Sequence, residues 1–99
     1  RSPENPSALG GLGDICFKLG LYQKAEEYYK KAIACRADSE KDYISLGDLY
    51  LSIGRLEEAK KYYEKAHKLN PTSEVFYALA QYYSRAGKKQ IALEYLAKA

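Results

Sequence analysis

The chain has 99 residues, 46% hydrophobic and 29% charged, which fits a single domain and excludes disordered or collagen-like classes. Its formal charge of +3 is too small to argue for nucleic acid or an anionic membrane surface. No run approaches the roughly 18 apolar residues of a membrane span, so membrane insertion is not expected.

No methionine occurs and the chain begins Arg1-Ser2-Pro3, so a processed product or a segment of a longer protein is expected. Cys16, Cys35 and the single His67 fall short of the four ligands of a structural zinc site. The expectation is two small buried thiols in a reducing, intracellular and cytoplasmic setting, with no metal and no cofactor.

In chain order, residues 1–5 read as an extension. Asn5-Pro6 opens the first helix, a cap residue followed by proline at the first helical position. Gly20 ends it, and a second helix follows with Ala25, Tyr29 and Ala32 on its apolar face. Ser39, with Asp42 three residues on, reads as a capping box for the next helix. Along that helix Tyr43, Leu46, Gly47, Tyr50 and Ile53 mark one apolar face, and Gly54 stops it. A fourth helix runs from about Arg55 to Leu69 and stops at Asn70-Pro71. The last unit repeats the pattern with Leu79-Ala80, Tyr83, Gly87, Ala92 and Leu96. Glu26–Lys30, Glu27–Lys31, Glu57–Lys61 and Glu64–Lys68 are acid-before-base pairs suited to exposed helix faces.

The units share one period. Gly20, Gly54 and Gly87 are 34 and 33 residues apart, and the alanines and bulky residues after them keep step. The chain therefore reads as three helical hairpins at about 6–39, 40–72 and 73–99, the last truncated and uncapped, with no strand signal. Gly13, Gly47 and Ala80, with Ala25, Ala59 and Ala92, are small where two helices must approach closely. Tyr28-Tyr29, Tyr62-Tyr63 and Tyr82-Tyr83 read as packing residues, one ring in the core and one half exposed, in preference to base-stacking platforms.

This arrangement resembles the tetratricopeptide repeat. The pattern is matched by Tyr43, Leu46, Gly47, Tyr50, Gly54, Ala59, Tyr63, Ala66 and Pro71, and in the third repeat by Phe76, Leu79, Ala80, Tyr83, Gly87, Ala92 and Ala99. The first repeat departs from it at Leu9, Cys16 and Ala37, and the third at Lys89. Pentatricopeptide and Sel1-like repeats differ in period and landmarks. The resemblance implies an all-α fold, a right-handed superhelical solenoid of three antiparallel hairpins. The first helix of each would line a concave groove that holds a peptide or helix of a partner protein.

On helical geometry, the face opposite the core places Ser7, Gly10, Gly11, Asp14, Phe17 and Lys18 in that groove. The second repeat adds Lys41, Ile44, Ser45, Asp48, Leu51 and Ser52, and the third adds Glu74, Tyr77, Ala78, Gln81, Ser84 and Arg85. Gly10 and Gly11 read as bare backbone open to a ligand. The first helices carry a net charge of −2 and the second helices, with the turn residues leading into them, +5, so a slightly acidic groove and a basic outer wall are expected. The lysines of that wall read as a solvated face, and no nucleic-acid partner is expected. One subset of the family grips a peptide's terminal carboxylate with lysine, asparagine and arginine. Here Gly10, Asp14, Ser45, Glu74 and Ala78 stand at those positions, so a neutral, apolar or basic segment is expected.

No nucleophile–base pair, phosphate-binding glycine loop or carboxylate pair is present, and an enzyme is not expected. The leading reading is a protein-interaction scaffold. One alternative is a self-assembling module, a homo-oligomer formed through the C-terminal helix with Ile91, Leu93, Tyr95 and Leu96. The other is the substrate-recognition arm of a larger enzyme.

Overall fold

The computed structural model describes residues 5–99, so of the expected extension only Asn5 is included. Six helices follow one another: α1 Pro6–Lys18, α2 Tyr22–Cys35, α3 Glu40–Ser52, α4 Leu56–Leu69, α5 Ser73–Arg85 and α6 Lys89–Lys98. Among the described residues there is no strand. Each first helix packs on its own second helix, and α3 and α5 also pack on the second helix of the preceding hairpin. The first helices touch one another in the order α1, α3, α5. The result is an extended stack of 50 × 26 × 18 Å.

The helix boundaries follow from the sequence. Asn5 accepts from the Ser7 amide at 2.9 Å, which satisfies one of the orphan donors of α1. Each hairpin turn uses a glycine with φ between 82° and 84°. The residue after each glycine sends its amide back to the carbonyl of Cys16, Tyr50 or Tyr83 at 2.8 Å, closing a Schellman motif. Between hairpins Asn70 is extended, as a residue before proline should be. Thr72 then caps α5 through a 3.3 Å bond from the Val75 amide.

The expected capping box at Ser39 does not form. Ser39 is the N-cap residue of α3 but makes no side-chain cap bond. Asp42 is buried and pairs with Arg36 from the end of α2 at 3.2 Å. A full guanidinium draws the carboxylate more strongly than an exposed amide and hydroxyl would. Among the acid-before-base pairs, Glu26–Lys30 closes at 3.2 Å, whereas Glu64 turns back towards Lys60 at 4.0 Å. Glu27–Lys31 and Glu57–Lys61 form no ion pair, and Lys61 instead lies 5.7 Å over the Tyr62 ring. Exposed pairs of this kind gain too little to fix long side chains. Cys16 is buried as expected, but Cys35, near the exposed end of α2, is not.

The core depends on close contact between a tyrosine and a glycine. A Cβ at Gly13 would lie 2.6 Å from the Tyr29 ring, and one at Gly47 would lie 2.5 Å from the Tyr63 ring. Both rings are buried, and each hydroxyl donates to the aspartate that follows its glycine, Asp14 or Asp48. In the third hairpin the corresponding residues are Leu96, Ala80 and Gln81. With no ring to accommodate, the glycine and the acceptor are both released.

A second aromatic layer joins the hairpin faces. Tyr62 stacks between Tyr43 and Tyr50 at 6.1 and 5.6 Å, and Tyr95 lies between Phe76 and Tyr83 at 6.3 and 5.6 Å. His67 meets Phe76 edge-on at 5.6 Å, an inter-hairpin contact. Each tyrosine pair does place one ring in the core, but in the third it is Tyr82 that is buried and Tyr83 that is half-buried. Ile53, at the end of the α3 apolar face, is exposed.

Substitution of these glycines separates packing from helix propensity. Gly47→Ala should cost about 1–3 kcal/mol by overpacking, whereas Gly11→Ala, which meets nothing within 4 Å, should stabilise by up to about 1 kcal/mol. Combined with Tyr63→Leu, Gly47→Ala should become far less costly, because Ala80 with Leu96 is already a working pair in hairpin three. Denaturant unfolding of the parent, Gly11→Ala, Gly47→Ala, Tyr63→Leu and the Gly47–Tyr63 double variant checks this, and strictly additive costs would refute the ring–glycine account.

Candidate partner-binding groove

The first helices lie side by side, and the faces turned from their own second helices define the candidate surface. A cavity of about 560 Å³ crosses all three near their C-terminal ends. Phe17 comes from α1, Asp48, Leu51 and Ser52 from α3, and Gln81, Ser84 and Arg85 from α5. No second helix contributes to it. Its lining mixes an aromatic ring, an aliphatic floor, amide and hydroxyl groups, one acid and one base. That mixture suits an extended peptide backbone with a few side chains better than a small ionic ligand.

Local packing positions the charged members. Asp48 is half-buried and accepts from the Tyr63 hydroxyl. Burial pushes its pKa up; the Tyr63 hydrogen bond opposes this, and Glu74 and Asp14 add to the rise. Arg85, from α5, lines the same cavity and donates to the Leu51 carbonyl at 3.3 Å, which links α5 to α3. The tyrosines respond in turn. Burial first, and then the adjacent aspartate, raise the pKa of Tyr29 and Tyr63, so both stay protonated as donors.

A smaller cavity of about 260 Å³ lies nearer the N-terminal ends of α1 and α3. It gathers Ser7, Gly10, Gly11, Asp14, Lys41 and Ser45, together with the Arg36–Asp42 pair. Gly10 faces the Asp42 carboxylate, 3.5 Å from where a Cβ would sit, so part of its bareness serves an internal charge. Gly11 remains open. Arg36 and Asp42 were not expected at this surface. An acid in register with Ala8 and Val75, an apolar position in the other first helices and buried in α5, is the signal that marks a buried pair.

The candidate residues thus divide. Phe17, Asp48, Leu51, Ser52, Gln81 and Arg85 converge in the larger cavity, and Asp14, Lys41 and Ser45 in the smaller. Lys18 is exposed and outside both. Tyr77 is 53% exposed and, with Gln81, lines a separate apolar cleft of about 360 Å³ against α6. Ile44 is not presented for contact: it is 9% exposed, and Leu51 6%, so only Leu51 reaches a cavity, as its floor. The cause is that α3 is flanked by α1 and α5, which cover the sides of its groove face, and Ala78 is buried likewise.

No group of three or more histidine, cysteine or acidic side chains among the described residues is arranged to hold a metal ion. Among them, no helix is long and apolar enough to cross a membrane.

Two family models described as tetratricopeptide repeat match the sequence, one over residues 4–71 and the other over residues 44–99. Among solved structures, the chain is similar to MamA, with 26% identity and a TM-score of 0.83 over 95% of this chain. It spans 56% of the MamA chain. It is similar also to the second tetratricopeptide domain of Spaghetti bound to the HSP90 peptide SRMEEVD, with 25% identity and a TM-score of 0.84 over 95% of this chain and 88% of that one. No curated protein matches it significantly in sequence.

The raised pKa of Asp48 predicts a definite pH dependence. Because the folded carboxyl holds its proton more tightly than the unfolded one, its contribution favours folding at low pH and is lost as pH rises through the folded pKa. Asp48→Asn should therefore gain stability relative to the parent as pH rises above the ordinary aspartate range. Unfolding curves across that range check the sign, and a variant that loses ground with rising pH would contradict it.

Proposed function

Because the chain belongs to the tetratricopeptide repeat family, we propose that it is a protein-interaction scaffold whose groove across α1, α3 and α5 receives a peptide or helix of a partner protein. The observation that carries this reading is the cavity lined by all three first helices and by no second helix. A related domain holding a peptide supports the class of ligand. The role is one of binding, with any chemistry left to the partner.

The groove favours a neutral, apolar or basic segment. Asp14 and Glu74, from the two neighbouring first helices, both act electrostatically on Asp48, so an incoming carboxylate adds to an existing repulsion. The positions where one subset of the family would supply lysine, asparagine and arginine hold Gly10, Asp14, Ser45, Glu74 and Ala78. An acidic tail such as that in the Spaghetti complex therefore finds no counter-charge at those positions. Phe17 and Leu51 offer apolar contact instead, and Gln81 and Ser84 offer hydrogen bonds to an extended backbone.

Fluorescence anisotropy with labelled peptides tests both claims. An amidated, basic peptide should bind at least about tenfold more tightly than its acidic-tailed counterpart. Phe17→Ala and Gln81→Ala should each weaken binding, since both residues line the cavity from different helices. Micromolar binding of the acidic peptide, unchanged by Asp14→Ala, would sink the charge preference. Peptide binding indifferent to both cavity substitutions would sink the groove.

A further inference from the structure

Helix α4 carries two acid-before-base pairs, Glu57–Lys61 and Glu64–Lys68, that would neutralise its lysines, and the structure leaves both open. Glu64 turns to Lys60 instead, at 4.0 Å. Lys61, Lys65 and Lys68, at i, i+4 and i+7, share one exposed face of the helix. None of the three forms an ion pair with a described residue. Two of them are nonetheless held in place. Lys61 lies 5.7 Å over the Tyr62 ring, and Lys65 lies 5.8 and 5.9 Å over the rings of Tyr43 and Tyr62. Those two rings stack on each other at 6.1 Å, which fixes the platform beneath the ammonium groups. A lysine already lying on a ring loses less rotamer freedom on binding than one extended into water, and its ammonium still has donors to offer.

The lysines also border concave surface. A cavity of about 480 Å³ is lined by Lys61, Lys65, Lys68 and His67 of α4, with buried Leu79 of α5 and half-buried Tyr95 of α6 as its apolar part. A second cavity, of about 210 Å³, meets Lys65 and Lys68 from the side of Tyr43 and Leu69. Among the described residues, Glu64 is the only carboxylate that lines either one. Neither shares a residue with the cavity across α1, α3 and α5. Helix α4 belongs to the middle hairpin, so the hairpins that adjoin it in the stack are already in place and leave this face open.

We propose that an acidic segment of a partner protein docks on this face of α4, its carboxylates meeting Lys61, Lys65 and Lys68 and an apolar side chain entering the larger cavity towards Leu79 and Tyr95. Charge complementarity selects the occupant, because three cations without a counter-ion border cavities that hold one acid. A single strand of nucleic acid fits less well, since its bases need open aromatic faces on which to stack. Here the rings are taken: Tyr62 lies between Tyr43 and Tyr50, and Tyr95 between Phe76 and Tyr83. The scaffold then has two sites of opposite preference, a groove that disfavours carboxylates and a lysine face that attracts them. Sharing no residue, they can be filled together.

Chemical-shift mapping on the isotope-labelled chain tests it, with a glutamate-rich peptide carrying one leucine and its glutamine counterpart as probes. The acidic peptide should shift amides at residues 61–69 and 95 and leave those of Asp48 and Gln81 in place. Exposed charge pairs contribute little each, so its Kd should be on the order of 0.1 mM, well above the micromolar range. Replacing the acidic peptide by the glutamine one, or the protein by Lys65→Glu or Lys68→Glu, should weaken binding about tenfold or more. Lys65→Arg and the groove variant Phe17→Ala should leave it unchanged, and circular dichroism checks that all variants stay folded. A basic peptide that shifts Phe17 and Gln81 reports the groove separately, so failure at one site is not read as failure at the other. Three results would overturn the proposal: shifts that are absent at millimolar peptide or fall in the groove; equal binding of the glutamine peptide or by Lys65→Glu; or a single-stranded oligonucleotide that shifts the same amides at lower concentration, which assigns the face to nucleic acid.

Discussion

The contact of a tyrosine ring with a residue that has no side chain is the constraint on which the rest of the molecule depends. The ring of Tyr29 lies on Gly13, and that of Tyr63 on Gly47. This sets how closely the two helices of a hairpin approach. A ring seated there must carry its hydroxyl past the first helix, and the next residue along, Asp14 or Asp48, receives it. The packing contact that closes the hairpin therefore also holds an acid at the groove. Groove charge and core packing cannot be varied independently in the first two repeats. In the third, Leu96 removes the ring, and with it go the need for glycine and the fixed acid.

This coupling accounts for the electrostatic character of the site. An exposed aspartate on a helix would titrate near its ordinary value and reorient freely. Asp48 does neither, because burial raises its pKa and the Tyr63 hydroxyl holds its direction. Protonated phenols serve as neutral donors that keep carboxylates in place without a cation. The excess positive charge of the chain lies on the second helices, where lysines such as Lys61 and Lys65 lie over tyrosine rings.

Stability in a stack of this kind is distributed between each hairpin and its junctions. The middle hairpin has both, and α3 buries eight of its 13 residues. Helix α1 buries three, although it is no less apolar. The difference arises from neighbours and not from composition. It explains why Leu46 and Leu79 disappear into junctions while Leu12, the same residue at the same repeat position, faces outward.

Much of this was legible in the sequence because helices and turns answer to local chemistry. The glycine spacing marks three hairpins, and the Asn5 cap and Asn70-Pro71 stop fall where local backbone preferences put them. The small residues at 13, 47 and 80 point to close approach, and seven residues of the groove face line one cavity. What the sequence could not supply is the number of sides on which each helix is covered. Helical periodicity distinguishes one buried face from its opposite, but the flanks are decided by neighbouring helices. So Ile44, on the groove face by periodicity, is buried in α3, a helix flanked by both α1 and α5. Asp42, a cap residue by its spacing from Ser39, is instead drawn to Arg36, a partner that only the junction of α2 with α3 brings within reach. The repeat and its helices belong to the sequence by itself. Which polar groups are paired, and which apolar faces are left uncovered, was decided by tertiary structure, because burial depends on what packs alongside.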